Sequence, residues 1–108
     1  MYEAPVDDYK FVIDHVIDLD QLIAKTGHDD ISIDLVEAVL SESGKLATDM
    51  IAPLNHSGDK AGAKRHDDSS VTTPLGFVDA YAAMAEGGWT SMEAREEFGG
   101  QNLPMVLT

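Results

Sequence analysis

Two short triplets contain the residue types that bind divalent metals. His28-Asp29-Asp30 and His66-Asp67-Asp68 each join an imidazole to two carboxylates, which are common ligands of zinc and other divalent ions. Adjacent residues on a loop rarely converge on one ion without further ligands at a defined spacing. A match of three residues is also too short to be an internal repeat. We therefore interpret these carboxylates as cap and turn residues and predict no metal site.

The stretch Gly58–Lys64 contains the glycines and the lysine of a phosphate-binding loop. Its glycine spacing is one residue short, no Ser or Thr follows Lys64, and no apolar strand precedes it. The pattern therefore fails the requirements of that loop. Cysteine is absent, which excludes disulfides, thiolate metal sites, iron–sulfur clusters and a cysteine nucleophile.

His15 is the histidine with the most obvious potential as a base, since Asp14 and Asp18 are close in sequence. A catalytic histidine needs a nucleophile as well as an orienting carboxylate, and no motif places a Ser or Thr beside it. His15 also lies on the apolar stripe of a predicted helix. We interpret it as a packed, hydrogen-bonded histidine.

The remaining candidates are carboxylates and aromatic rings in the last third of the chain. Glu93, Glu96 and Glu97 are typical of a solvated helical face. Trp89 and Tyr81 could stack on a flavin or adenine ring, but buried aromatic residues are the more common case, and we predict both to be core residues. The sequence thus predicts no catalytic, cofactor-binding or metal-binding residue in this chain.

The charge balance excludes one class of partner. The chain has 20 acidic and 7 basic residues and a formal charge of −13, whereas nucleic-acid binding requires clustered Lys and Arg. No apolar run approaches the length of a membrane span. The acidic N-terminus lacks the features of a signal peptide, so we predict a cytoplasmic protein.

A helical period of apolar residues predicts the first two helices. The first extends from about Asp8 to Lys25, with a possible break between Asp18 and Asp20 and a stop at Gly27. Its apolar face is wide, which indicates contact with more than one neighbour.

The second helix is predicted to begin after Ser32 as N-cap and to end at Pro53. Gly44 lies inside it, at a cost of about 1 kcal/mol relative to Ala. We interpret this glycine as a site of close packing.

A polar segment, Asn55–Thr73, separates these helices from a third and is predicted to be a long loop, with a short turn or hairpin near Val71–Thr73. The third helix is predicted to begin with Thr73 as cap and Pro74 at its first position, and to stop at Gly87-Gly88. Together these patterns predict an all-α fold with about three main helices and a long polar loop.

Leu103–Thr108 is typical of a turn followed by the start of an apolar helix, with Pro104 suited to its first position. Too few residues follow Pro104 to form a stable helix on their own. Such an apolar ending is the pattern expected of a truncated chain.

Several stretches resemble the acyl-CoA dehydrogenase family. Gly87-Gly88-Trp89-Thr90 and Phe98–Pro104 are similar to the "GGW" and "YGGQGLP" turns that the family often carries. The family's long members include enzymes for fatty acyl-CoA and for 3-methylmercaptopropionyl-CoA, and further stretches are similar to that group. They are Ala4–Asp8 with Phe11-Val12, Ala52–Asn55 with Gly58-Asp59, and Val71–Pro74 with Gly76-Phe77. The similar stretches occur in order along the whole chain.

Two positions depart from the family's pattern. Asn102 stands where the family usually has glycine, and Asn is the residue with a β-carbon that best holds a left-handed conformation. Arg95 and Glu96 stand where the family often has proline. Both changes concern the geometry of the turn rather than its chemistry.

The resemblance implies an N-terminal fragment of a parent several times longer, in which residues 1–33 are the family's N-terminal extension and 34–108 the first part of a helical domain. The parent would hold FAD between its middle and C-terminal parts. A glutamate there would remove a proton from acyl-CoA while hydride passes to the flavin. This chain alone would have no catalytic residue, no cofactor and no activity. Its partners would be the remainder of the parent chain and further copies in a homo-oligomer.

A second hypothesis is a free-standing acidic helical adaptor that binds a protein partner. An acyl carrier protein is one version of it, but the Asp-Ser-Leu attachment site is absent, and Asp68-Ser69-Ser70 is the nearest string. An adaptor should be a compact monomer with a groove. A fragment should expose apolar surface and self-associate to cover it.

Overall fold

The computed structural model describes all 108 residues. In this structure the first predicted helix is divided into three helical segments. Helix α1 comprises Val6–Val12, a π-helical turn comprises Ile13–Ile17, and α2 comprises Leu19–Thr26. Asp18 separates the last two in a left-handed conformation, and its carboxylate accepts a hydrogen bond from the backbone N–H of Gln21 at 3.2 Å. The predicted break at Asp18 and the stop at Gly27, whose φ is 73°, are both confirmed.

The second predicted helix is longer than expected. Helix α3 comprises Ile33–Leu46, a second π turn Ala47–Ile51, and α4 Ala52–Ala61. Ser32 caps α3 as predicted, because its hydroxyl accepts the N–H of Leu35 at 3.2 Å.

The prediction that Pro53 ends this helix is wrong. Pro53 is the second residue of α4, and near the start of a helix a missing N–H removes no intrahelical bond. In a regular α-helix the proline ring would clash with the carbonyl group four residues earlier. The wider π turn before Pro53 interrupts this regular i→i−4 arrangement. The helical path therefore continues to Gly62, and the polar loop is shorter than the predicted Asn55–Thr73.

A two-stranded antiparallel hairpin follows. Strand β1 (Lys64–Arg65) pairs with β2 (Val71–Thr72), with Lys64 opposite Thr72 and Arg65 opposite Val71. This confirms the predicted hairpin. Ser69, with φ of 70°, supplies the left-handed residue of its loop.

Helix α5 comprises Phe77–Glu86. The predicted start at Thr73 and Pro74 is wrong, because Gly76 is the residue before the helix and its φ is 87°. A β-carbon at Gly76 would lie 2.7 Å from Cδ2 of Leu54. The backbone of this turn therefore packs directly against α4, and a side chain at position 76 would prevent that contact. The predicted stop at Gly87-Gly88 is confirmed, with Gly88 left-handed at a φ of 75°.

The last twenty residues form turns of 3₁₀ helix at Trp89–Ser91, Glu96–Phe98 and Met105–Leu107. The segment Met105–Leu107 follows Pro104, which is extended and precedes the turn instead of occupying its first position. Helices outweigh the two short strands, so the all-α class is confirmed. None of the helices combines the length and apolar character needed to span a membrane.

The core is small and lies where the first π turn, α2 and α3 meet the last turns of the chain. Val36 is its most buried side chain, 1% exposed. The members of this cluster are Ile13, Leu19, Ile31, Val36, Met92, Leu103 and Leu107. Gly44 lets α1 approach α3 as predicted, since a β-carbon there would meet Cγ2 of Val6 at 2.7 Å.

The molecule is flat and extended around this core. Its radius of gyration is 17.1 Å and its shortest dimension 18 Å, whereas a compact domain of this length has a radius of gyration of about 13 Å. Large apolar side chains on α1, the first π turn and α5 remain exposed, among them Phe11, Val16, Val78 and Tyr81. The wide apolar face predicted for the first helix is therefore largely uncovered.

The cap on α3 gives a first prediction. Replacing Ser32 with Ala removes the acceptor for the Leu35 N–H and should lower the free energy of unfolding by about 1 kcal/mol. Ser57→Ala is the matched control, because the exposed Ser57 hydroxyl bonds only the Leu54 carbonyl inside α4. Chemical denaturation followed by circular dichroism measures both. Equal stability of the two variants would show that the cap contributes nothing.

Candidate interaction site

The two turns that carry the glycine motifs contact each other. The side-chain amide of Gln101 donates to the carbonyl of Gly88 at 3.0 Å, and the backbone N–H of Gln101 donates to the carbonyl of Ser91 at 3.3 Å. A β-carbon at Gly88 would meet this amide at 2.7 Å. The two motifs, thirteen residues apart in sequence, therefore form one structural unit.

The second turn of this unit is held by backbone hydrogen bonds. Asn102 and Leu103 donate to the carbonyls of Ala94 and Met92, each at 2.9 Å. A β-carbon at Gly100 would overlap the Ala94 carbonyl, so only glycine fits there. Asn102 has a φ of 51°, which confirms that it holds the left-handed conformation expected where the family has glycine.

The histidine triplets lie in a turn and a hairpin loop. The Nδ1 atom of His28 is 2.8 Å from the Thr26 hydroxyl, and the Nε2 atom of His66 is 2.7 Å from that of Thr72. The hydroxyl and backbone N–H of Ser70 both donate to Asp68 and lower the pKa of its carboxyl. This confirms the turn role that we predicted for a triplet carboxylate. No three His, Asp or Glu side chains are placed together as a metal site.

Two of the other candidates lie elsewhere than predicted. His15 is exposed and makes no hydrogen bond, and its ring lies 4.9 Å from that of Phe11. Tyr81 is 67% exposed and not in the core. Both predictions of burial are wrong, because no neighbouring element covers either side chain.

The remaining candidates behave as predicted. Trp89 is half-buried and packs against the core cluster. The three glutamates are exposed, and Glu97 pairs with Arg95 at 3.3 Å. The segment Gly58–Lys64 is the end of α4 and the start of the hairpin, not a phosphate loop.

An apolar groove of about 480 Å³ lies between α4 and α5. The helices touch at one end, where Phe77 covers Gly58 so closely that a β-carbon would lie 2.5 Å from the ring. Ile51 and Leu54 line one wall and Tyr81 and Met84 the other. Nine of the ten lining residues are apolar or aromatic, and Asn55 is the exception. We call this the α4–α5 groove.

A second apolar groove of about 360 Å³ lies between the N-terminal segment, α3 and the last turn of the chain. Leu40, Trp89, Val106 and Thr108 are among its lining residues. We call this the α1–α3 groove. The two grooves adjoin, because both are lined by the same four residues, Tyr2, Ala47, Ile51 and Met84.

Sequence patterns had pointed to part of this surface. Phe77 and Tyr81 belong to the apolar face that helical periodicity predicts for the third helix, whereas Met84 was not assigned to that face. The opposite wall was missed because the helix was expected to end at Pro53.

A larger depression of about 550 Å³ beside the start of α1 is polar and lined by Asp7, Asp8 and Asp49.

Comparison with known proteins identifies relatives. The chain is 38% identical over 106 residues to a 3-methylmercaptopropionyl-CoA dehydrogenase of Ruegeria pomeroyi, a match that covers 98% of this chain and 18% of that protein. It is 31% identical over 90 residues to a butyryl-CoA dehydrogenase of Syntrophomonas wolfei, covering 81% of this chain and 15% of that protein. No family model matches. The chain thus spans less than a fifth of either relative, and the two matches confirm the predicted resemblance.

The turn unit gives a second prediction. Gly100→Ala should lower the free energy of unfolding by about 2–3 kcal/mol, because the new methyl group must displace backbone. Gly99→Ala is the matched control: its φ is 82° and nothing lies near its β-carbon position, so only the left-handed strain of about 1 kcal/mol is expected. Denaturant unfolding measures both values. A Gly100→Ala variant no less stable than Gly99→Ala would contradict the contact with Ala94.

The grooves give a third prediction. The isolated chain should self-associate as its concentration rises, and more strongly at high salt, because salt screens the repulsion between copies that each carry −13. Tyr81→Lys should weaken this association, whereas Phe98→Lys, at an equally exposed aromatic outside both grooves, should not. Sedimentation velocity over a range of concentrations measures the effect. A monomer under all conditions would exclude it.

Proposed function

We propose that this chain, a relative of the acyl-CoA dehydrogenases, is the N-terminal helical part of a longer FAD-dependent enzyme of that family. The parent oxidises the α–β bond of an acyl-CoA to give the enoyl-CoA. Residues 1–33 are its N-terminal extension and 34–108 the first part of its N-terminal helical domain. The role of these residues is structural, and the parent's substrate and oxidation chemistry belong to the rest of its chain.

One observation carries this proposal: nearly the whole chain matches less than a fifth of a much longer dehydrogenase. The two relatives are named for different acyl groups, so the likeness supports a family and not one substrate. The exposed apolar faces of α1 and α5 and both grooves also support it, because a segment of a larger domain leaves uncovered the surfaces that its neighbours would bury.

The residues present do not fit FAD. Its pyrophosphate needs backbone N–H groups, basic side chains or the N-terminus of a helix. The α4–α5 groove offers nine apolar or aromatic residues and one amide, that of Asn55. We therefore propose that FAD binds to the remainder of the parent and that no residue of this chain takes part in its binding.

No described group is suited to proton transfer from an acyl thioester. The carboxylates are spread over the exposed surface, and none is buried. The salt bridge between Lys10 and Glu37 at 2.8 Å joins α1 to α3 and raises the pKa of Lys10, which is a packing role. We propose that the chain contributes no catalytic, cofactor-binding or metal-binding residue to the parent.

The adaptor hypothesis has one feature in its favour, the apolar α4–α5 groove, which could receive a helix of a separate protein. The extended shape and the two uncovered helix faces favour the fragment. We also propose that the parent is a homo-oligomer, in which some of these faces meet a second copy.

The proposal is tested on the gene and on the protein it encodes. We expect the reading frame to continue past codon 108 into a protein several times longer that binds FAD and converts an acyl-CoA to its enoyl-CoA with an artificial electron acceptor. The 108-residue chain, incubated with FAD and the same substrates, should give no product. A stop codon after Thr108, or turnover by the short chain, would reject the proposal and turn the search to a partner of an adaptor.

A further inference from the structure

We draw no further inference here: the strongest candidate, the apolar α4–α5 groove with Leu54 on one wall and Tyr81 on the other, carries nothing beyond the proposed function, because nothing in the structure shows what covers it.

Discussion

Gly100 lies so close to the Ala94 carbonyl that no side chain fits between them, and closure of the core depends on this contact. The turn that it permits brings Leu103 under Met92 through a backbone hydrogen bond of 2.9 Å. Both side chains, with Leu107, then join Ile13, Leu19 and Val36 in the one buried cluster. The Gln101 amide on the Gly88 carbonyl ties the end of α5 to the same turn. A small core tolerates little displacement of any member, because each side chain is a large share of the buried surface.

Irregular helix geometry shapes the surface as strongly as the core does. Each π turn adds a residue to the helical path and rotates the side chains that follow it. The second π turn places Ala47 and Ile51 on the wall shared by the two grooves. It also precedes Pro53, so that one irregularity both accommodates a proline and forms an apolar wall.

Burial and charge place opposite demands on this chain. Eleven of its 108 residues are buried, too few for the stable core that a chain of this length can form. Its charge of −13 opposes the approach of a second copy. A chain of this kind gains most stability from a covalently attached neighbour that supplies apolar side chains. Covalent attachment raises the effective concentration of that neighbour above that of any free copy. The longer relatives are consistent with such an arrangement.

Several local signals in the sequence determined the local structure, although the signal for a helix start at Thr73 and Pro74 did not. The cap at Ser32, the stop at Gly27, the hairpin near Val71 and the left-handed Asn102 depend on the conformation of a few adjacent residues, which residue type alone constrains. The family motifs were readable for the same reason, because they are turns. The absence of a recognisable catalytic motif was also a sequence-level observation, and it carries into the proposed function.

Tertiary structure decided everything that depends on which face meets a neighbour. Tyr81 and His15 lie on apolar helical stripes that predict burial, yet both are exposed, because periodicity shows that a face is apolar and not what covers it. The continuation of the helix beyond Pro53 required the π turn, which has no sequence signature. The α4–α5 groove depends on Phe77 on Gly58 and Leu54 on Gly76, contacts between residues distant in sequence. Their positions follow from packing, so only the folded chain reveals them.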